Sequence, residues 1–187
     1  MTTAEGHVTA LHFAQDSLPV AEGAVLLALP AWESARLVPG LKVAGRHAPT
    51  VGLHFARDAE GPVRAVLLAG GQAQRVVVRP SGVSVGIAAA DAACDEPVEA
   101  LVPRVWAEVS RAAAAFGLHG DWPEAPPPVR AMTDLRATPR HAVGFPPHTP
   151  RRPMRNLVLA GDWTWPGLPA SVEAAARSGD AAARALL

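Results

Sequence analysis

Asn156-Leu-Val-Leu-Ala-Gly-Asp-Trp-Thr-Trp-Pro-Gly-Leu-Pro-Ala-Ser-Val-Glu-Ala-Ala-Ala-Arg-Ser-Gly179 is the stretch that decides how this chain is read. The apolar run Asn156 to Ala160 predicts a strand buried on both faces. Gly161 ends it, and the missing Cβ lets a ligand approach the backbone closely. Asp162 then falls at the carboxyl end of the strand, the edge at which α/β sheets bind ligands. Its carboxylate suits sugar-like hydroxyls. Pro169, Ala170 and Ser171 open a helix predicted to run to Leu187, whose unpaired N–H groups and positive dipole end favour an anion. Ala174, Ala175, Ala176, Gly179, Ala181, Ala182 and Ala183 let that helix lie close against a sheet. The same residues also suit an ordinary strand–turn–helix in which the aspartate caps the turn.

Working outward, Gly23 to Leu29 is a second continuous apolar run, ended by Pro30. It also fits a strand of a parallel sheet. Val8 to Phe13 alternates and predicts a strand, with a polar turn at Gln15 to Ser17. Ala31 to Leu37 reads as a short helix stopped by Pro39 and Gly40. Four strands follow with short turns between them: Pro49 to Ala56, Val63 to Leu68, Arg75 to Arg79 and Val83 to Ala88. That succession predicts an antiparallel sheet. Val98, Leu101, Val102, Val105, Val109, Ala112 and Phe116 recur at helical spacing and predict a long helix from Pro97 to Phe116, stopped by Gly117. Val129 to Leu135 is a further strand after a proline-rich connection, and Pro139 to Pro153 reads as a loop.

Composition narrows the function. The chain has 187 residues, 49% of them hydrophobic, which is enough for a sizeable core. Seventeen basic and seventeen acidic residues cancel, so no positive face for nucleic acid is expected. Cys94 is the single cysteine, which excludes a disulfide framework and a thiolate metal site. The start is too polar for a signal peptide, and no apolar run approaches the roughly twenty residues of a membrane span. A soluble, cytoplasmic protein is the expectation.

The segment Ala160 to Thr164, followed by Gly167 to Ser171, Glu173 and Ser178-Gly179, closely resembles the last FAD-contacting motif of the flavin amine oxidase and phytoene desaturase superfamily. Within it, the pattern is most similar to the squalene-associated FAD-dependent desaturases, the hydroxysqualene dehydroxylase-like group of hopanoid biosynthesis. Val8 to Trp32 resembles the family's last β-meander strand and its return to the nucleotide sheet. Ala88 to Asp91 with the helix after it resembles the substrate domain, and Asp134 to Thr138 the segment leading back toward the flavin. The resemblance is weakest from Pro39 to Gly71.

The resemblance implies an α/β fold of the FAD-binding type, present in part. It divides the chain into 1–32, strands returning to the FAD-binding domain; 33–150, a substrate-binding domain; and 151–187, the FAD-contacting strand and helix. It implies FAD contacts at Gly161, Asp162, Trp163, Gly167, Leu168, Pro169, Ala170 and Ser171, with the helix start facing the N1–O2 edge of a reduced flavin. Family members are more than twice this length and begin with a Gly-x-Gly-x-x-Gly loop that holds the FAD pyrophosphate. No such run occurs here. The implied site is therefore incomplete, and the implied partner is a separately encoded N-terminal FAD-binding half. The substrate class implied is a polyisoprenoid of squalene, hopanoid or carotenoid type. A non-catalytic module that binds hydrophobic ligands or protein, and a fragment without independent function, stay open beside that reading.

No catalytic base is nominated. His47 with His54, and His141 with His148, lack metal-ligand spacing and companions, so no metal site is expected. In the family reading His141 and His148 approach the substrate cavity; a solvated loop position is the favoured reading. No Gly-x-Ser-x-Gly elbow is present, which disfavours a hydrolase. Trp163 and Trp165 either line the flavin or substrate channel or anchor the strand–helix corner. Arg151, Arg152 and Arg155 form a solvated approach to the final strand or a weak contact with an anionic membrane surface.

Overall fold

The computed structural model describes residues 1–57, 61–140 and 151–186. The chain forms two compact units: Met1–Arg46 with Pro139–Leu187, and His47–Thr138 between them in sequence.

The first unit begins with β1 (Thr2–Ala4), β2 (His7–His12) and β3 (Ser17–Pro19), an antiparallel three-stranded sheet in that order. Only β2 is legible from alternation, because β1 and β3 are three residues long and carry no exposed-to-buried rhythm. β4 (Val25–Leu27) is the middle of the apolar run, and α1 (Ala31–Leu37) follows Pro30 directly.

β10 (Leu157–Leu159) pairs in parallel with β4, and α4 (Val172–Leu186) returns after a 3-10 turn at Asp162–Thr164. All three β10 residues are buried, as a continuous apolar strand requires. One face, Leu157 and Leu159, packs on Val8, Val25 and Val38. The opposite face, Val158 with Ala160, packs on Ala182 of α4. The alanines of α4 give it the close approach to the strand that the sequence predicts.

The second unit is a five-stranded sheet in the order β6-β7-β8-β5-β9, with β5 at His47–Phe55, β6 at Arg64–Leu67, β7 at Arg75–Arg79, β8 at Gly82–Ala88 and β9 at Val129–Pro139. The β6–β7, β7–β8 and β8–β5 pairs are antiparallel. One sheet face, with Val51, Leu53, Phe55, Val76, Val78, Val83, Val85 and Ile87, packs on α3 (Val98–Phe116) through Leu101, Val102, Val105 and Val109. A short helix, α2 (Asp91–Cys94), leads into it.

Trp106 sits fully buried at the centre of this core. Its ring lies 4.8 Å from Phe55 and 5.5 Å from Trp122, and its Nε1 donates to the Pro123 carbonyl at 2.8 Å. Each such buried side chain contributes about 1.5–3 kcal/mol, and the donated hydrogen bond lets the indole be buried without an orphaned N–H. Gly117 ends α3 in the left-handed region at φ 59°, with its N–H on the Ala113 carbonyl. An L side chain is strained there, which is why glycine stops this helix.

The mixed α/β architecture with its antiparallel sheet agrees with the expected class. Two details differ from the sequence reading. β9 continues four residues past Leu135 to Pro139. Val98 and Phe116, the two ends of the expected apolar stripe on α3, are exposed, so the buried stripe runs only from Leu101 to Ala113.

Candidate functional site

The turn between β10 and α4 is held by a closed set of hydrogen bonds. Gly161 N donates to Ser178 Oγ at 2.9 Å, Thr164 Oγ1 donates to the Gly161 carbonyl at 2.8 Å, and the two hydroxyl oxygens are 2.5 Å apart. Thr164 has one hydroxyl proton and gives it to Gly161. Ser178 must therefore donate to Thr164 while accepting from Gly161, and the direction of each bond is fixed. Ser178 and Thr164 are both buried, so each unmet group would carry a desolvation cost.

Trp163 supplies a second tether. Its Nε1 donates to the Leu29 carbonyl at 3.0 Å, which joins the turn to the chain just beyond β4. The indole lies over Gly161: a Cβ built there would be 2.5 Å from Nε1 and 2.8 Å from Cδ1 of Trp163, and φ is 151°. The side of Gly161 that the sequence reading leaves for a ligand is thus filled by Trp163. Of the two roles weighed for this tryptophan, the geometry supports the anchor.

Asp162 lies between these two tethered residues, half-buried, and none of the bonds that hold the turn uses its carboxylate. Gly167, at φ 84°, with Leu168, Pro169 and Ala170 forms the link to the helix. Ser171 starts α4: its Oγ accepts from Ala174 N at 3.2 Å and its carbonyl accepts from Ala175 N at 3.0 Å. The amides of Val172 and Glu173 then have no carbonyl one turn earlier to bond. A carboxylate at Asp162 that bonds no side chain among the described residues, and the start of a fifteen-residue helix, suit a ligand bearing hydroxyls and an electron-rich heterocycle. The residues present therefore fit the ribityl and pyrimidine parts of a flavin.

Three further side chains brace the strand and helix that carry the site: Asn156, to which sequence reasoning assigns no role, and Arg151 and Arg152, which it reads as surface residues. Asn156 bonds the backbone of Val8 at both ends of its amide, 2.8 Å from Val8 N and 2.9 Å to Val8 O, and also reaches the Gly23 carbonyl at 3.2 Å. Arg152 donates to the Ala185 carbonyl, capping the last turn of α4. Arg151 stacks its guanidinium 5.5 Å from the Trp165 ring, while its own carbonyl accepts from Leu159 N at 2.8 Å. Two of the three arginines read as a solvated approach thus make specific contacts. His54 bonds Ser84 at 3.1 Å on the second unit's sheet; His141 and His148 lie outside the described residues.

The second unit holds an open cleft of about 480 Å³, lined by Leu67, Leu68, Gly71, Glu108, Arg111 and Phe116 among others. Leu67 is 80% and Phe116 58% exposed there. Glu108 is spoken for: its carboxylate accepts from Ala73 N at 2.8 Å.

The chain belongs to the flavin containing amine oxidoreductase family, whose pattern matches residues 72–187. Three relatives are similar to nearly all of it. They are hydroxysqualene dehydroxylases from Sinorhizobium fredii (34% identical, 94% of this chain), Rhodopseudomonas palustris (33%, 100%) and Zymomonas mobilis (31%, 94%). The chain spans 42%, 44% and 42% of their respective lengths.

Proposed function

We propose that this chain is the C-terminal part of an FAD-dependent oxidoreductase acting on a polyisoprenoid of the squalene type, completed by a polypeptide that carries the pyrophosphate-binding loop. The observation that carries the reading is the braced turn at Asp162 in a chain of a flavoenzyme family, within a motif that resembles that family's last FAD-contacting segment. Asp162 would accept from ribityl hydroxyls, and the start of α4 at Ser171 would face the pyrimidine edge of the ring. Gly161 and Trp163 would set the height of that carboxylate, and Gly167 to Ala170 would form the wall beside it. When bound, the flavin supplies hydride transfer to or from the isoprenoid.

The edge of β4 is where the completing polypeptide would add a strand. Val25 N bonds the Asn156 carbonyl, and the Leu27 carbonyl accepts from Ala160 N. In a parallel ladder the residue between them turns its N–H and C=O the other way, so the backbone of Leu26 faces the open edge. Its side chain is 45% exposed. The other edge of β10 is taken up by Arg151 and Met154, which accept from Leu159 N and Leu157 N.

The test is reconstitution with the N-terminal portion of one of the three relatives. After anaerobic reduction of the complex, addition of the hydroxylated isoprenoid is expected to reoxidise the flavin in the visible spectrum. A flavin-loaded complex that gives no spectral change with isoprenoid alcohols or polyenes overturns the substrate class. A second reading, a non-catalytic hydrophobic-ligand module, is favoured by the cleft at Leu67 and Phe116. Binding of a fluorescent isoprenoid by the chain without flavin, lost on L67D, would support it.

A further inference from the structure

We infer that Thr164 and Ser178 are positioning residues for Asp162: a buried hydroxyl pair that sets the direction of a carboxylate neither of them touches. The functional side of this inference rests on the flavin reading above; the geometric side does not.

Asp162 is bracketed. On its N-terminal side both the N–H and the C=O of Gly161 are bonded, the first to Ser178 Oγ and the second by Thr164 Oγ1. On its C-terminal side the indole of Trp163 is bonded to Leu29 O. Ser178 reaches the turn from the second turn of α4, fourteen residues along the chain from Thr164. The helix that begins at the ligand edge thereby also fixes the turn at that edge, so the carboxylate and the helix start are held in one frame.

A fold requirement alone is met more simply. Gly161 N–H needs one acceptor, which a water or a single serine supplies. The structure instead uses two buried hydroxyls in a chain whose every proton has one place to go. The Ala160–Gly161 peptide is held through its N–H by Ser178, and the Gly161–Asp162 peptide through its C=O by Thr164 Oγ1 and by Thr164 N at 3.0 Å, so turning either plane breaks a bond of the chain. Held this way, Asp162 needs no reorganisation on meeting a ligand hydroxyl, which is how a supporting shell contributes to affinity.

The test uses the full chain labelled for NMR, with T164V, S178A and T164S. In the wild type Gly161 N–H is expected to exchange slowly and the Asp162 backbone to be as ordered as α4. T164V and S178A should speed Gly161 exchange by about tenfold or more and lower Asp162 order, with amides from Ala181 to Ala185 unchanged; T164S should stay close to wild type. Unchanged Gly161 protection, or a loss spread evenly through α4, overturns the inference and leaves the pair a packing feature. In the reconstituted complex, T164V and S178A should also weaken flavin retention about tenfold, with T164S restoring it. Equal retention in all variants overturns the positioning role. A wild-type complex without flavin fails the flavin reading instead, and the amide data still decide whether the pair positions Asp162.

Discussion

The side-chain amide of Asn156 and the backbone of Val8 form a two-point bridge: Oδ1 accepts from Val8 N at 2.8 Å while Nδ2 donates to Val8 O at 2.9 Å. The two residues are 148 positions apart, and the bridge does for them what a ladder pair does in a sheet. It seats β2 over β10, where Val8 meets Leu157 and Leu159.

Removing that amide leaves Val8 with two unmet backbone groups. N156A should lower stability by about 1–3 kcal/mol, read as a shift in the urea midpoint. N156D keeps the acceptor but turns a carboxylate toward the Val8 and Gly23 carbonyls, so it should cost at least as much as N156A. A variant as stable as wild type would show that the bridge contributes nothing.

Gly161 and Trp163 should behave as a coupled pair. G161A places a Cβ against the indole at a backbone angle that L residues rarely adopt, and W163F removes the donor to Leu29 O. G161A is expected to destabilise by about 1–3 kcal/mol. Because W163A clears the space the new methyl needs, the double variant G161A/W163A should cost less than the sum of the singles. Strict additivity in thermal unfolding would contradict the contact.

Adjacent positions in β4 should respond in opposite ways to proline. V25P deletes the bond to the Asn156 carbonyl and leaves that acceptor unmet, so it should cost about 1–3 kcal/mol. L26P removes an N–H that faces the open edge and should leave the chain folded, as proline does on edge strands. On the proposed reading, L26P should nonetheless block assembly with the completing polypeptide in size-exclusion chromatography. Assembly of L26P at wild-type affinity would place the added strand elsewhere.

Cys94 should be a poor nucleophile in the folded chain. Burial pushes its thiol pKa up, and Asp95 and Asp91 push it further the same way. The thiolate is the reactive form, so alkylation by iodoacetamide should be slower in the folded chain than in urea at every pH below the folded value. A folded pKa above the unfolded one also means that Cys94 binds its proton more tightly when native. Its contribution to stability is therefore full below about 8.5, the usual thiol value, and declines as pH rises through the folded pKa. C94A should remove that alkaline decline.

What the sequence discloses of this fold follows from the range of the interactions involved. Continuous apolar runs at 23–29 and 156–160 and the helical spacing from Leu101 to Ala112 are local signals, and the corresponding β4, β10 and α3 stand where they predict. Trp106 escapes the apolar count, although it centres the core, because its place depends on Phe55, Trp122 and the Pro123 carbonyl meeting around it. The Asp162 turn is recognisable as a motif; its bracing is not. Ser178 and Thr164 read as ordinary small polar residues until α4 folds back against β10, and the contact of Trp163 with Gly161 depends on the three-dimensional course of the turn. The resemblance carries the family, which the relatives bear out, while the contacts that hold the site emerge only from long-range packing.

Flavin retention tests the central claim most directly. The chain should be purified alone and co-expressed with the N-terminal portion of a hydroxysqualene dehydroxylase, with and without D162A. The expected result is visible flavin absorbance in the co-expressed wild type and its loss in D162A at unchanged assembly. A well-folded complex that carries no flavin, or one whose flavin is indifferent to Asp162, would contradict the account.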